Sequence, residues 1–372
     1  MSIVTLNRKK LRENFNFLDT LFEEHHIEWS IVTKVLCGNG TFLKEVLSLP
    51  ISEFCDSRIS NLKKIKSLNP EVQTVYIKPV PITFTDEVLE FADVSFNTET
   101  ETLAMLSEKA VAMNKIHKTV IMVEMGELRE GVVREKLLDF FSKVKHLPNI
   151  EIVGIGTNLT CMNGILPDYG KMKALYESKK EIENRFGVKV PYISGGASVA
   201  IPLILDETMP PYINHFRVGE TLFFGTNVYD DSFIEGMHHD IFTLYAEIIE
   251  IKTKPNIPEG NFGSNLTGEQ KDFSSAERLE KTTRAIVDIG LLDISPSNIF
   301  PKDKKLTIVG SSSDMMVLDL DASDVEYAVG DFIPFRINYL ALLRLMNSNY
   351  VEKQIEDSEP KTLKHSAEFE AH

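Results

Sequence analysis

The chain has 372 residues, of which 43% are hydrophobic and 26% are charged, a balance typical of a folded soluble protein. Its net charge of -15 at pH 7 argues against a nucleic-acid partner, because binding phosphates requires a basic surface. No run of about 18 apolar residues predicts a membrane span, and no apolar signal region follows the basic residues near the amino terminus. The three cysteines are widely spaced and form neither a zinc pattern nor a disulfide framework, so we expect a cytoplasmic protein.

The first 220 residues alternate between short β-branched or aromatic runs and longer polar segments with helical character. The predicted strands are residues 29–35, 51–55, 74–78, 93–96, 119–125, 150–157, 190–194 and 213–218. The predicted helices are residues 42–49, 57–68, 85–91, 99–113, 132–146, 168–186 and 199–206. Strands that alternate with helices form right-handed βαβ units and a parallel sheet. Eight such units predict an α/β fold, a (β/α)8 TIM barrel over residues 1–230, with a doubly wound open sheet as the alternative.

Beyond residue 229 the pattern changes, because strand-like runs follow one another with no long helical segment between them. These runs are residues 239–252, 283–289, 305–309, 315–320 and 332–338. They predict a second, mainly β domain over residues 231–352. Residues 353–372 are polar, and we expect them to form a flexible tail.

Polar side chains end the predicted barrel strands, at the edge where barrels of this kind build their active sites. Lys34 ends an apolar run, where partial burial would lower the pKa of its ammonium and free the amine for Schiff-base chemistry. A strand-end lysine that reaches back to water is the alternative. The other polar strand ends are Asp56, Lys78, Asn97, Arg129, Asn158, Ser194 and Arg217.

Two glycine-containing loops follow the last two predicted strands. The SGGAS loop contains Gly195 and Gly196, which let the backbone approach a phosphate, and Ser198, which can donate a hydroxyl. The RVGE loop contains Gly219. Phosphates in these barrels often bind after strands seven and eight, so the loops predict a phosphate site, with ordinary glycine turns as the alternative. A phosphate site and an amine on one barrel face fit pyridoxal 5'-phosphate (PLP), which needs an anchor and an amine.

Five segments together resemble enzymes of the alanine racemase fold, and most of all the branch that contains ornithine racemase. The segments are TKVLCGNG at residues 33–40, MVEMGELREG at 122–131, GIGTNLTC at 154–161, SGGAS at 194–198 and RVGETLFFG at 217–225. The resemblance extends over about residues 6–351 and implies a PLP-dependent amino-acid racemase with a small-molecule amino-acid substrate. It also implies a homodimer in which each active site lies between the barrel of one subunit and the β domain of the other.

The same resemblance implies a role for each matching residue. Lys34 matches the lysine that holds PLP as a Schiff base, and Arg217 matches the arginine that faces the pyridine nitrogen. Arg129 matches an active-site arginine near the substrate carboxylate. Tyr339 matches a tyrosine near the phosphate, and Asp314 lies in a segment that resembles the loop contributed by the partner subunit. The remaining predicted cofactor-binding residues are Asn158, Ser194, Gly195, Gly196, Ser198, Gly219 and Glu220.

Arg217 has a chemical consequence. Because its own pKa is above about 12, it does not readily give a proton to the pyridine nitrogen, and the ring is then a weaker electron sink. This favours simple removal and return of the α-proton, which needs one acid/base group on each face of the substrate. Lys34 serves one face. The tyrosine that serves the other face in alanine racemase has no counterpart here, and the candidates for that second base are Cys37, His238, His239, Asp314 and Tyr339.

The branch resemblance favours a basic substrate such as ornithine or lysine, with alanine and serine as alternatives. Five acidic residues lie near strand ends, where we interpret each as a surface or salt-bridge residue: Asp56, Glu124, Glu127, Glu130 and Glu220. Three other functions compete with racemisation. A decarboxylase for a basic amino acid needs only one protonation, a PLP-binding regulatory protein resembles the barrel alone, and a barrel enzyme without cofactor would show no visible absorbance.

Overall fold

A computed structural model of the chain describes residues 1–266, 268, 270 and 281–356. The chain divides into two compact units. The barrel unit is Lys10–His239, and the β unit combines Met1–Lys9 with the chain from Asp240 onward. None of the helices in the described part of the chain is long and apolar enough to cross a membrane.

The amino terminus corrects the domain assignment made from the sequence. The sequence pattern predicts the barrel over residues 1–230, but strand β1 (Ser2–Asn7) pairs with two strands of the β unit. Such pairing joins residues far apart along the chain, so a local pattern does not reveal it. The junction between the units also falls later than expected, after His239 instead of after residue 230.

The barrel unit contains all eight strands and all seven helices predicted from the sequence. Its helices are α1 (Arg8–Glu24), α2 (Gly40–Leu47), α3 (Ile59–Leu68), α4 (Thr85–Phe91), α5 (Thr100–Ala112), α6 (Arg134–Val144), α7 (Tyr169–Phe186), α8 (Ile201–Leu205) and α9 (Glu220–Phe224). Its strands are β2 (Glu28–Val32), β3 (Glu53–Asp56), β4 (Gln73–Tyr76), β5 (Val94–Asn97), β6 (His117–Glu124), β7 (Val132–Val133), β8 (Ile150–Gly156), β9 (Tyr192–Ser194), β10 (Gly196–Ala197), β11 (His215–Val218), β12 (Thr226–Asn227) and β13 (Ser232–Phe233).

Parallel strands form a nearly closed barrel in the order β10, β11, β2, β3, β4, β5, β6, β8, β9. The two ends of this order are joined through Gly195, and the Asn214 side chain bridges β9 to the start of β11. Asn214 Oδ1 accepts a hydrogen bond from the backbone N–H of Ile193 at 2.8 Å, and its Nδ2 donates to the carbonyl of Pro191 at 2.9 Å. One amide side chain therefore supplies two of the hydrogen bonds between these strands.

The inside of the barrel has two different walls, because alternate residues of each strand point inward. Both walls line one small cavity of about 20 Å³. The apolar wall consists of Val75, Val94, Phe96, Val120 and Val153. The polar wall consists of Glu53, Gln73, Tyr192, Ser194 and His215. Arg217 follows His215 by two residues on β11, so its side chain continues the polar wall toward the carboxyl end.

The β unit is mainly antiparallel, as the sequence predicted. With β1, its eight-stranded sheet contains β14 (Phe242–Pro255), β15 (Lys281–Val287), β16 (Ile299–Pro301), β17 (Thr307–Ser311), β18 (Met316–Asp319), β19 (Phe332–Ile337) and β20 (Val351–Glu356). One helix, α10 (Tyr339–Leu345), lies between the last two strands. The expectation of a flexible tail over residues 353–372 is wrong for its first four residues, which continue β20 and pair with β1. The rest of that segment, 357–372, lies outside the described residues.

Candidate active site

Lys34 stands at the carboxyl end of the barrel, beside the strand that carries Arg217. Strand β2 pairs with β11, with Ser30 opposite Arg217, and ends two residues before Lys34. Lys34 begins a 3-10 turn and is exposed. The expected partial burial of its ammonium is therefore not found in this chain, because the strand stops earlier than the apolar run suggested.

The backbone next to Lys34 is held by a buried carboxylate. Asp56, the last residue of β3, accepts a hydrogen bond from the Thr33 hydroxyl at 2.8 Å. It also accepts from the backbone N–H of Arg58 at 2.9 Å and from Asn61 Nδ2 at 3.1 Å. Burial raises the pKa of Asp56, although these bonds oppose the shift. Asp56 thus ties the ends of two neighbouring strands together below Lys34.

Arg217 is buried at the carboxyl end of the polar wall, with 5% of its surface exposed. Its Nη1 donates to the Ser194 carbonyl at 2.9 Å and also to the Ser194 hydroxyl, and its Nη2 donates to the Thr157 carbonyl at 2.7 Å. Its guanidinium lies 5.1 Å from the centre of the Phe96 ring. Burial lowers the pKa of Arg217. A buried guanidinium needs such acceptors, since an unpaired charge in the interior is costly.

The predicted phosphate loops converge on the Ser198 hydroxyl. The backbone N–H groups of Gly219 and Thr221 point to Ser198 Oγ at 3.4 and 3.3 Å. A side chain at Gly196 would overlap the Phe216 ring, because a Cβ there would lie 2.2 Å from a ring carbon. A Cβ at Gly219 would lie 3.1 Å from the Val32 carbonyl oxygen. The two glycines therefore allow the loops to pack closely against the barrel strands.

Arg129 and Asn158 meet in the loops after β6 and β8. With its amide oxygen turned toward Arg129, Asn158 accepts hydrogen bonds at 2.9 Å from Nη2 and 3.3 Å from Nη1. Arg129 also forms an ion pair with Glu130, which raises the pKa of the guanidinium. The loop after β8 is organised by Glu127, a buried carboxylate. Glu127 accepts hydrogen bonds from four backbone N–H groups, those of Thr160, Met162, Asn163 and Ile165.

Comparison with known proteins identifies the family to which the chain belongs. The model of the alanine racemase N-terminal domain matches residues 6–227. Ornithine racemase of Acetoanaerobium sticklandii is 37% identical over 353 residues, which are 95% of this chain and 99% of that protein. Lysine racemase of Thermotoga maritima is 31% identical over 355 residues, 95% of this chain and 98% of that protein. The chain belongs to the alanine racemase family.

Solved structures support the same fold. Alanine racemase of Clostridium difficile 630 superposes with a TM-score of 0.76 at 18% identity, covering 96% of each chain. Alanine racemase of Bartonella henselae, with covalently bound pyridoxal phosphate, superposes with a TM-score of 0.71 at 16% identity, covering 95% of this chain and 99% of that one. The predicted fold and enzyme class, an amino-acid racemase of barrel plus β domain, are confirmed.

The five candidates for the second base of this racemase lie in different places. Cys37 ends the turn that Lys34 begins, with its Sγ 3.8 Å from the Lys34 carbonyl oxygen and a left-handed backbone, φ +48°. His238 binds Glu13 at 2.6 Å on the surface, and the His239 ring stacks on Phe233. These two contacts give the histidines structural partners. The remaining two lie in the β unit: Asp314 is in the turn between β17 and β18, and Tyr339 begins α10.

Several residues of the barrel interior were missed by reasoning from strand ends. Thr157 has a buried hydroxyl that makes no hydrogen bond to any described residue. Glu53 and His215 lie at the first positions of β3 and β11, far from the carboxyl edge that the sequence analysis searched. The available signal was the pair His215 and Arg217, two polar residues that share one face of an otherwise apolar strand.

Proposed function

We propose that this racemase uses PLP and acts on a basic amino acid, ornithine or lysine. The use of PLP is supported by one observation: Lys34, Arg217 and the Ser198 loop lie at the same end of the barrel. The preference for a basic substrate is supported by the two relatives, which are named for ornithine and lysine and match nearly the whole chain.

The residues at the carboxyl end fit PLP. The Ser198 hydroxyl and the N–H groups of Gly219 and Thr221 form a compact donor set, which suits a phosphate. Thr157 Oγ1 is buried without a partner among the described residues, and Arg217 Nε donates to none of them. Both atoms are therefore available to a group other than the described residues.

We assign the cofactor contacts from this geometry. Lys34 Nζ would hold PLP covalently, and Ser198 with Gly219 would hold the phosphate. Arg217 would face the ring nitrogen, with Ser194 and Thr157 fixing its plane. When bound, PLP supplies the electron sink that makes the α-proton of the substrate acidic. The other predicted cofactor contacts, Asn158, Gly195, Gly196, Glu220 and Tyr339, remain part of this proposal.

The chain's own groups then move the proton. Lys34 Nζ, freed when substrate binds, takes or returns the proton on one face of the substrate. Arg129, whose charge is retained by Glu130, would bind the substrate carboxylate through its planar donor pair. Cys37 and Asp314 are the candidates for the acid/base group on the other face.

The acids near the strand ends are mostly occupied by the protein itself. Asp56 and Glu127 accept backbone hydrogen bonds, Glu124 accepts from Gly126 and Leu128, and Glu130 pairs with Arg129. Among the described residues, Glu220 makes no hydrogen bond. Burial raises its pKa, while nearby Lys34 opposes that shift. Of the five acids, Glu220 is thus the one whose carboxylate the described chain leaves free for a cationic side chain.

We also propose that the active enzyme is a cytoplasmic homodimer. All three cysteines are free thiols, which suits a reducing compartment. The family resemblance implies that the β unit of one subunit completes the site of the other, and Asp314 and Tyr339 are the residues of the β unit that would take part. Size-exclusion chromatography with light scattering is the direct measurement of the assembly.

The test of the proposed function compares matched substrates. PLP-loaded enzyme is incubated in deuterated water with L-ornithine, L-lysine or L-alanine, and products are separated on a chiral column with mass detection. L-norvaline and L-norleucine are the controls, because they keep the carbon chain of ornithine and lysine and lack the terminal amine. We expect the D-enantiomer with one deuterium, and kcat/KM for ornithine or lysine at least about tenfold above its matched control.

Two other outcomes would overturn the proposal in different ways. Equal rates with the amine-free controls, or a preference for alanine, would remove the basic substrate and leave the racemase. A decarboxylated amine as product would replace racemisation by the decarboxylase reaction.

A further inference from the structure

A continuous chain of hydrogen bonds crosses the barrel from Arg217 to its amino-terminal end. Arg217 Nη1 donates to the Ser194 hydroxyl, which lies 2.6 Å from His215 Nδ1. His215 Nε2 lies 2.9 Å from Glu53 Oε1, and Gln73 Nε2 donates to the other oxygen of the same carboxylate. Ser194, His215 and Arg217 are all buried, so these bonds form away from solvent.

The donors and acceptors of this chain run in one direction. Burial tends to raise the pKa of Glu53, but the hydrogen bonds from His215 and Gln73 hold it below its usual value. Glu53 is therefore an ionised acceptor, and His215 Nε2 must carry a hydrogen. A neutral imidazole then has a lone pair on Nδ1, which accepts the Ser194 O–H.

That tautomer leaves the Ser194 oxygen free to accept from Arg217. If His215 carried hydrogens on both nitrogens, Nδ1 would donate to Ser194, and the serine hydrogen would lose the acceptor that the neutral ring provides. In the arrangement Arg217 to Ser194 to His215 to Glu53, the guanidinium only donates, the carboxylate only accepts, and Ser194 and His215 each accept one hydrogen bond and donate one. Hydrogen bonds in such a series polarise one another in the low dielectric of an interior.

The far end of the chain of bonds opens on the opposite side of the barrel from Lys34. A cavity of about 530 Å³ is lined there by His215 and Glu53 together with Trp29, Asp19 and Glu28. Glu53 is thus anchored at the amino-terminal end, while Arg217 belongs to the carboxyl end. The hydrogen bonds through Ser194 and His215 connect these two ends inside the barrel.

We propose that His215 is a positioning residue for Arg217: held by Glu53, it acts through Ser194 to fix the guanidinium where the PLP ring binds. This inference rests on the proposed function, because it needs Arg217 to face the cofactor. His215 touches neither substrate nor PLP. It contributes by keeping the Ser194 hydroxyl turned so that the oxygen lone pairs face the guanidinium.

The test replaces His215 by phenylalanine, which keeps a ring of similar size and removes both ring nitrogens. The matched control is His117→Phe, because His117 is also a buried histidine at the first position of a barrel strand and also binds a serine, Ser95, at 2.7 Å. His117 is not connected to Arg217 by the bonds described above. Three readouts are compared: the dissociation constant of PLP, the visible spectrum of bound PLP, and kcat and KM separately.

We expect His215→Phe to raise the PLP dissociation constant about tenfold, to shift the visible band and to lower kcat more than it changes KM. His117→Phe should leave the dissociation constant within about twofold of the wild type, whatever it does to stability. Equal effects of the two substitutions on PLP binding and spectrum would overturn the proposal. If wild type itself bound no PLP, the proposed function would fail first, and this inference with it.

A second variant keeps the test decisive should His215→Phe not fold. Glu53→Gln preserves shape and replaces a charged acceptor by a neutral one, so the bond from His215 Nε2 weakens. We expect the PLP dissociation constant to rise about fivefold with the same direction of spectral shift. An unchanged constant and spectrum in this variant would also overturn the proposal.

Discussion

The two walls of the barrel interior differ in what they contribute. The apolar wall is ordinary barrel core, a layer of branched and aromatic side chains that stabilises the fold by excluding water. The polar wall has polar side chains where a barrel core normally has hydrocarbon. Ser194, His215 and Arg217 on this side all form hydrogen bonds inside the barrel. One side of the barrel is thus organised around hydrogen bonds that end on the buried guanidinium of Arg217, and the other side is organised around packing.

The largest expected effect is a loss of activity, caused by a substitution that lies outside both walls. Lys34→Ala removes the amine that would hold PLP, and we expect racemase turnover to fall at least about a thousandfold. Because Lys34 is exposed and lies outside both walls, the free energy of unfolding should change by no more than about 0.5 kcal/mol. Activity assays, absorbance of bound PLP and denaturant titration measure the three quantities.

The control for that variant is Lys44→Ala, an exposed lysine on α2. It should keep the visible band and the activity of the wild type. Retained turnover in Lys34→Ala would remove this lysine from the proposed mechanism.

A pH titration sharpens the contrast between two buried histidines. His215 has a partner for each ring nitrogen, whereas His117 Nδ1 has none among the described residues. Burial lowers the pKa of His117 to about 4 from an ordinary value of 6.5, with nearby Lys115 adding to the shift. The folded protein therefore keeps this ring neutral while the unfolded chain takes up a proton. His117 contributes full stability above pH 6.5, and that stability is lost as the pH falls toward about 4.

The expected size of this loss is about 3 kcal/mol when the pH falls from neutral to about 4. Urea titrations of wild type and His117→Gln at several pH values measure it. The variant lacks the titrating ring, so the difference in unfolding free energy between the two proteins should shift in favour of the variant as the pH falls. A difference that is constant from pH 7 to pH 4.5 or so would contradict the assignment.

The smallest effect tests the apolar wall alone. Val120→Ala deletes two methyl groups from a buried position, and we expect the free energy of unfolding to fall by about 2 kcal/mol. PLP affinity should stay within about twofold of wild type, because no hydrogen bond to Arg217 changes. If PLP affinity fell as far as in His215→Phe, it would be incorrect that the apolar wall serves packing and the polar wall positions Arg217.

Reading the sequence located the strands well, because strand-like runs and polar strand ends are local signals. The same reasoning placed Lys34 inside an apolar strand, but β2 ends at Val32 and Lys34 lies in the turn beyond it. It also passed over α1, although Leu11, Phe15, Leu18 and Phe22 follow one another at helical spacing and are all buried.

Other features depend on partners that no local pattern identifies. The position of β1 in the β unit follows from pairing with strands that lie more than 230 residues later. The link between Glu53 and His215 joins two strands separated by 162 positions along the chain. Polar residues at the first position of a strand look like ordinary loop residues until the barrel closes and points them inward.

The Asn214 bridge has a consequence for motion. Neighbouring strands elsewhere in the barrel share ladders of backbone hydrogen bonds, but β9 is joined to β11 through side chains. Two of these bonds come from Asn214, and the others link Ser194 to His215 and Arg217. Local opening at this seam therefore costs less free energy than separating strands that share a full ladder, and the backbone amide of Ile193 should exchange its hydrogen early. The SGGAS and RVGE loops leave the barrel from these same two strands. A phosphate bound between the loops would bridge the two strands and slow that exchange.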